Sequence, residues 1–453
     1  MQPLPKEFEE QMKRLLGEAG FFAYLDALNQ PYTRALRVNL LLRPDGTPPC
    51  PIEGLGAPVP WAKGAYFVEG DARPGLSPLH EGGLFYMQEP SALTAVTALD
   101  PQPGERVLDL CAAPGGKSTQ IAALMAGRGL LCCNEPIPSR AQILSRNIER
   151  MGVRNAVVLS AMPDALAPHF PAFFDRILVD APCSGEGMFR RQPEARDEWD
   201  ADAPRRCADR QMEILTQAAK MLRPGGTMVY STCTFNDTEN EGVLKRFLAL
   251  HPEFSLVPFA LPGLPEAKDG YLHLYPHEMR GEGHFVSRLK KADGADEADA
   301  PVQAAPQRKA PARAAAKGKA PAPIALPDVF SDAFAPERLY TAGDALWMLP
   351  EGISIERLSG LRVLRTGLLL AHAEGKRSEP DHALAMALRP EEAARTASLT
   401  QTQALAYQAG ETLSLGDLPG GYTLLCCEGV SLGWGKQAGG LMKNHYPKGL
   451  RRR

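Results

Sequence analysis

From about residue 83 to residue 250, short apolar runs alternate with amphipathic stretches, and no other feature restricts the fold of this chain as strongly. RVLDLCA (106–112), GLLCCNE (129–135), AVVLSA (156–161), FDRILVDAP (174–182) and GTMVYSTCT (226–234) read as strands. The intervening spacing predicts helices from about Lys117, over 138–151 and near 204–222. Asn236, followed three residues later by Glu239, marks the start of another helix that runs to about 250. SLVPF, YLHLYP and HFVSRLKK supply late strands. Nearly continuous apolar strands joined by helices define an α/β domain with a mostly parallel sheet covered on both faces.

The flanks read differently. Residues 6–28 carry Phe8, Met12, Leu15 and Leu16 at helical spacing, PYTRALRVNLL is a strand candidate carrying Arg34 and Arg37, and 44–80 is rich in Pro and Gly. Residues 292–326 are dominated by Ala, Pro and charge, with Asp293, Asp296, Glu297 and Asp299 ahead of Arg308, Lys309, Arg313, Lys317 and Lys319. Such a stretch buries too little apolar surface to fold, and reads as a flexible spacer or as a basic arm for phosphate. Residues 327–453 hold short strand-like runs and end in KQAGGLMKNHYPKGLRRR, where Lys436, Lys443, Lys448, Arg451, Arg452 and Arg453 stand without an acid. The expected division is therefore 1–80, 81–291, 292–326 and 327–453.

Charge and cysteine usage exclude several classes. Fifty Lys plus Arg against 53 Asp plus Glu give a net charge of −3, so a nucleic-acid surface must be local, as in the C-terminal patch. Nine cysteines without a Cys-x-x-Cys pair are neither a disulfide framework nor a structural zinc site. No run of 18 apolar residues occurs, and the charged N-terminus lacks the apolar segment of a signal peptide. The expectation is a cytoplasmic protein with free thiols, no metal and no membrane contact.

The chemistry gathers at strand ends. VLDLCAAPGGKSTQ (107–120) runs from a strand through Gly115 and Gly116 into a helix whose first N–H groups face a ligand. A Walker A loop would need glycine where Cys111 stands, and no Gly-x-Gly-x-x-Gly occurs. Glu135 ends the second strand, where an acid accepts hydrogen bonds from ribose hydroxyls; the alternative is a surface carboxylate near a helix start. DAPCSGEGMF (180–189) follows the fourth strand and YSTCTF (230–235) ends the fifth. Ligands of an open parallel sheet collect beyond the carboxyl ends of its strands, so Asp109, Cys111, Glu135, Asp180, Cys183 and Cys233 point to one cleft. Phe189, Arg190 and Arg191 either line its mouth or pack on a helix surface; His277 and His284 lack a metal-ligand constellation, and His284 reads as structural.

With GLFYMQEPSA, DLCAAPGGKS, DAPCSGEGMFR and STCTF occurring in this order, residues 80–291 resemble the NOL/NOP/Sun family of RNA cytosine-5 methyltransferases. PYTRALRVN and the basic C-terminal domain also resemble its bacterial ribosomal-RNA branch. The resemblance implies a Rossmann-like, seven-stranded class I methyltransferase core between a small N-terminal module and a C-terminal α+β or β domain, both binding RNA. It implies S-adenosyl-L-methionine as cofactor, held by Cys111, Ala112, Ala113, Pro114, Gly115, Gly116 and Lys117 with Glu135, Arg140 and Asp180. Where the family meets the adenine, SAMPDA places Met162, with Asp164 two residues on as the candidate contact.

The resemblance further implies Cys233 as nucleophile and Cys183 as the residue assisting product release, with Asp180 at the base edge and Lys117 orienting it or the loop. Cys183 could alternatively only shape the pocket. Small-subunit (16S) ribosomal RNA is the first expected substrate and tRNA the second. A ribosome-assembly factor that binds RNA without catalysis is the rival from another class.

Overall fold

A computed structural model describes residues 3–294, 324, 328–329, 336–374 and 377–452. The spacer or basic arm assigned to 292–326 lies almost wholly outside the described residues, as does Arg453. An N-terminal helix, Lys6–Leu28, is broken at Gly17, whose φ of 67° and ψ of 173° leave the helical region. Next comes an antiparallel sheet of β1 (Arg34–Val38), β2 (Leu55–Pro58), β3 (Ala65–Val68) and β4 (Phe85–Gln88), in the order β2-β3-β1-β4. The boundary expected at residue 80 thus falls too early. Tyr86 and Gln88 pair with Arg37 and Ala35, which makes β4 part of the first sheet.

The central sheet contains β5 (Arg106–Asp109), β6 (Leu130–Asn134), β7 (Ala156–Leu159), β8 (Phe174–Asp180), β9 (Leu222–Thr232), β10 (Phe254–Leu256), β11 (Tyr271–Leu274) and β12 (His284–Lys291). Its order is β10-β12-β9-β8-β5-β6-β7, with β11 also on β12. Strands β5 to β9 are parallel and β12 runs antiparallel to β9. β10 and β11 share one edge of β12 in succession, so the core has seven strand positions. An eighth position comes from Val363–Arg365 of the C-terminal region, antiparallel to β7.

All strands expected from the apolar runs are present, and Gly116–Leu124, Pro138–Arg150 and Ala203–Met221 are helical as expected. The helix expected from Asn236 begins instead at Glu241. Asn236 and Glu239 still form the reciprocal pair: Glu239 N donates to Asn236 Oδ1 and Asn236 Nδ2 donates to Glu239 Oε1, both at 2.8 Å. The pair closes a turn ahead of the helix, because the strand-end loop must first carry Cys233 over the sheet.

The C-terminal region forms two further four-stranded sheets. It is not separate from the N-terminal module. Leu36, Val38 and Phe85 of the first sheet share a buried core with Leu425, Val430 and Leu432 of the last. At about 25 cal/mol per Å² of apolar area, that shared face is a substantial tether.

Candidate active site

The chain proceeds from β5 to β6 and β7 on one side, then returns to β8 and β9 on the other. The crevice therefore opens beyond the carboxyl end of β5. After β5 the chain turns at Gly115, whose φ of 114° is open to glycine but strained for any other residue, and enters the helix Gly116–Leu124. Beyond this turn lies a cavity of about 520 Å³, lined by Cys111–Pro114, Gly116 and Lys117, by Arg140, Asp180 and Cys233, and by Tyr86, Gln88, Arg191 and His284. The turn, Lys117, Asp180 and one of the two cysteines thus share one space.

Cys183 Sγ lies 3.3 Å from Cys233 Sγ. The hydrogen bond to Cys233, together with burial, pushes the Cys183 thiol well above the ordinary range. Either sulfur can be the donor across this contact. Two loops hold the pair. Gly187 N donates to Cys233 O at 2.8 Å, and a Cβ on Gly187 would approach that oxygen to 3.0 Å. Ser184 Oγ meets Thr234 Oγ1 at 2.8 Å.

Two buried acids tie these loops from beneath. Glu186 accepts from Phe235 N at 2.8 Å, from Asn236 N at 3.0 Å and from Gln11 Nε2 at 2.9 Å. Glu239 accepts from Ser184 N at 3.0 Å and from Gln211 Nε2 at 2.8 Å. Burial raises the Glu239 carboxyl above the usual range.

Asp180 receives Lys117 Nζ at 2.7 Å and Ser231 Oγ at 2.8 Å, with His284 Nε2 at 3.5 Å. Burial alone would raise its carboxyl, but the neighbouring Lys117 and His284 outweigh burial and hold it far below the carboxylate range. Asp109 behaves oppositely. Burial, opposed by a 2.6 Å hydrogen bond from Ser118 and helped by the charge of Asp180, pushes it up to about 7. Its Oδ1 is buried without a partner among the described residues. One acid at this crevice is thus fixed as an anion while its neighbour is held close to neutrality.

The remaining candidates divide. Glu135 is 2% exposed and stands behind the cavity wall; it accepts from Ile137 N at 3.0 Å, and Arg140 Nη1 lies 3.3 Å from it. Arg140 Nη2 also donates to Ala113 O at 3.2 Å, linking Glu135 to the glycine turn. Asp164 is not brought to the cavity: it is exposed, and its Oδ1 accepts from Ala165 N at 2.9 Å at the start of Pro163–Leu166. Met162 is exposed as well.

Of the three residues after the Pro-Cys loop, only Arg191 lines the cavity. Phe189 is buried against the Phe8 ring at 4.9 Å. Arg190 is engaged by both Glu282 oxygens at 2.7 Å. His284, expected as merely structural, faces Asp180 from β12. Ser231 and Glu186 escaped the sequence reading, and Glu239 was read only as part of a helix start. All three sit in or beside the motifs, but nothing in the chain order signals their burial. Among the described residues no cluster of His, Cys, Asp or Glu could hold a metal ion, and no helix is long and apolar enough to cross a membrane.

The strand order and a cavity beyond β5 and β8, backed by an acid at the end of β6, define a class I methyltransferase. The family model described as 16S rRNA methyltransferase RsmB/F matches residues 96–290. Models described as the N-terminal domain of 16S rRNA methyltransferase RsmF, the RsmF rRNA methyltransferase first C-terminal domain and the methyltransferase RsmF PUA domain match 4–90, 327–388 and 394–452.

The ribosomal RNA small subunit methyltransferase F of Erwinia tasmaniensis is 34% identical over 98% of this chain and 96% of its own length. That of Enterobacter sp. is 35% identical over 98% and 95%. The chain belongs to the ribosomal RNA small subunit methyltransferase F family. Among solved structures, a methyltransferase homolog from Pyrococcus horikoshii superposes with a TM-score of 0.54 at 30% identity, covering 63% of this chain and 95% of that one. NSun6 from Pyrococcus horikoshii with SFG gives a TM-score of 0.55 at 23% identity, covering 64% and 99%.

Proposed function

We propose that this methyltransferase modifies C5 of a cytosine in RNA, with small-subunit ribosomal RNA as substrate, through a covalent bond from Cys233 to C6. One observation carries the reading: two free thiols 3.3 Å apart at the edge of a cavity that also holds an ionised acid and a glycine turn. The names of the 34–35% identical relatives support ribosomal RNA as the substrate class. S-Adenosyl-L-methionine, when bound by the 111–117 loop with Glu135 and Arg140 behind it, supplies an electrophilic methyl group.

C5 of cytosine is a poor nucleophile. Addition of the Cys233 thiolate to C6 moves electron density onto C5. Asp180, kept anionic and oriented by Lys117 and Ser231, stabilises positive charge at the base edge near N3 as the adduct forms. After methyl transfer the C5 proton leaves to water beside Cys183, or to the Cys183 sulfur once its own proton has passed to solvent, and Cys233 departs by elimination as the thiolate.

The test uses small-subunit RNA from cells lacking the enzyme. Cys233→Ala is expected to abolish methylation with RNA binding retained. Cys183→Ala is expected to accumulate a protein–RNA complex that survives denaturant. Turnover by wild type without any such complex from Cys183→Ala overturns these roles.

A further inference from the structure

A second cavity, of about 340 Å³, adjoins the catalytic one. The two share Met87, Gln88, Glu89 and Arg191 as common wall. Its own surface comes from Tyr32, Thr33, Arg34 and Ala35 at the start of β1 and from the loop Arg73–Leu76. Tyr32 is 46% exposed and Leu76 65% exposed, an apolar outlay that the fold itself leaves uncovered.

Charge in this groove is one-sided. Arg34 is committed to the carbonyls of Gly70 and Ala72, but its positive charge remains in the wall. Arg73 and Arg191 are exposed, and among the described residues no hydrogen bond or ion pair engages either guanidinium. The one acid in the lining, Glu89, is consumed by backbone donors: Ser91 N at 2.9 Å, Ala92 N at 2.8 Å and Glu282 N at 2.8 Å. Gln88 stands between the cavities, its side-chain oxygen without a partner among the described residues.

We infer that this groove is the subsite for the nucleotide next to the methylated cytosine, with its base on the Tyr32 ring and its phosphate between Arg73 and Arg191. The inference rests on the reading of the catalytic cavity as an RNA-modifying centre. A cytosine reaches such a cavity only by leaving its stack, and its neighbour then loses a stacking face. An exposed aromatic ring beside the mouth replaces that face without regard to base identity, and unpaired arginines hold the backbone that the flipped nucleotide leaves outside. The groove thereby lowers the cost of flipping, which is why it is continuous with the catalytic space.

The experiment compares full-length wild type, Tyr32→Ala, Tyr32→Phe and Arg73→Ala by methyl transfer to small-subunit ribosomal RNA at several salt concentrations. Tyr32→Ala is expected to raise KM for RNA about tenfold, with KM for S-adenosylmethionine unchanged. Tyr32→Phe, which keeps the ring, is expected to restore the wild-type KM. Arg73→Ala is expected to reduce the slope of log affinity against log salt by roughly 0.7, the share of one single-stranded phosphate contact. Wild-type turnover with KM and salt slope unaltered in Tyr32→Ala and Arg73→Ala overturns the subsite alone. Wild-type protein that transfers no methyl group to RNA overturns the functional reading, and the subsite with it.

Discussion

Two acids at neighbouring strand ends show how burial and partner choice set charge in the cavity. Asp180 has Lys117 at 2.7 Å, whereas Asp109 has only a hydroxyl and an adjacent anion. The sign of its effect on folding follows. An Asp109 carboxyl raised to about 7 keeps its proton across a range in which the unfolded chain, with its Asp near 3.9, has lost it. Its contribution to stability is full below about pH 4 and falls as pH rises towards 7, by up to about 1.4 kcal/mol per pH unit. Asp109→Asn is expected to remove this component, so urea unfolding of wild type should lose stability relative to the variant between pH 4 and 7. Parallel pH profiles would contradict it.

The candidate residues were legible as types at strand ends, because Cys183 and Cys233 each sit in a short motif. Their supports were not. Glu186 reaches Phe235 and Asn236 across 49 and 50 positions, and no local pattern encodes that closure.

At the scale of elements, the N-terminal helix braces the loops that carry Cys183 and Cys233. Phe8 is fully buried against Phe189 and Trp199, and Gln11 donates to Glu186. Phe8→Ala leaves a hole in this aromatic cluster and is expected to cost about 3–5 kcal/mol in urea unfolding. An effect under about 1 kcal/mol would show the helix to be dispensable. The sequence predicted this helix from its apolar spacing, and the break at Gly17 was invisible because a single glycine is tolerated in a helical pattern. The strand Val363–Arg365 was missed as part of the central sheet for a different reason. Its place on β7 is set by a contact about 200 residues away, whereas its own short apolar run fits any edge.

For the whole molecule, Arg452 has a structural role beyond the one its charge suggested. Arg452 donates to Leu76 O at 2.5 Å and to Ser77 O at 3.0 Å, and Gln408 Nε2 donates to Pro78 O at 3.0 Å. These bonds fasten the last module to the loop that forms one wall of the second cavity. Arg452→Ala is expected to cost about 1 kcal/mol locally and to speed amide hydrogen exchange over 74–81. RNA affinity should weaken without a shallower salt dependence, because this guanidinium is spent on carbonyls. A slope reduced by a full phosphate contact would restore the tail to direct RNA binding. Lys443 and Lys448 remain exposed and keep the local positive field that the sequence announced.

The apolar face of Leu36, Val38 and Phe85 is covered by strands that follow it by more than 330 residues. During synthesis the earliest sheet therefore waits, wetted, until almost the entire polypeptide has emerged. A product that ends before those strands leaves Leu36, Val38 and Phe85 without their cover.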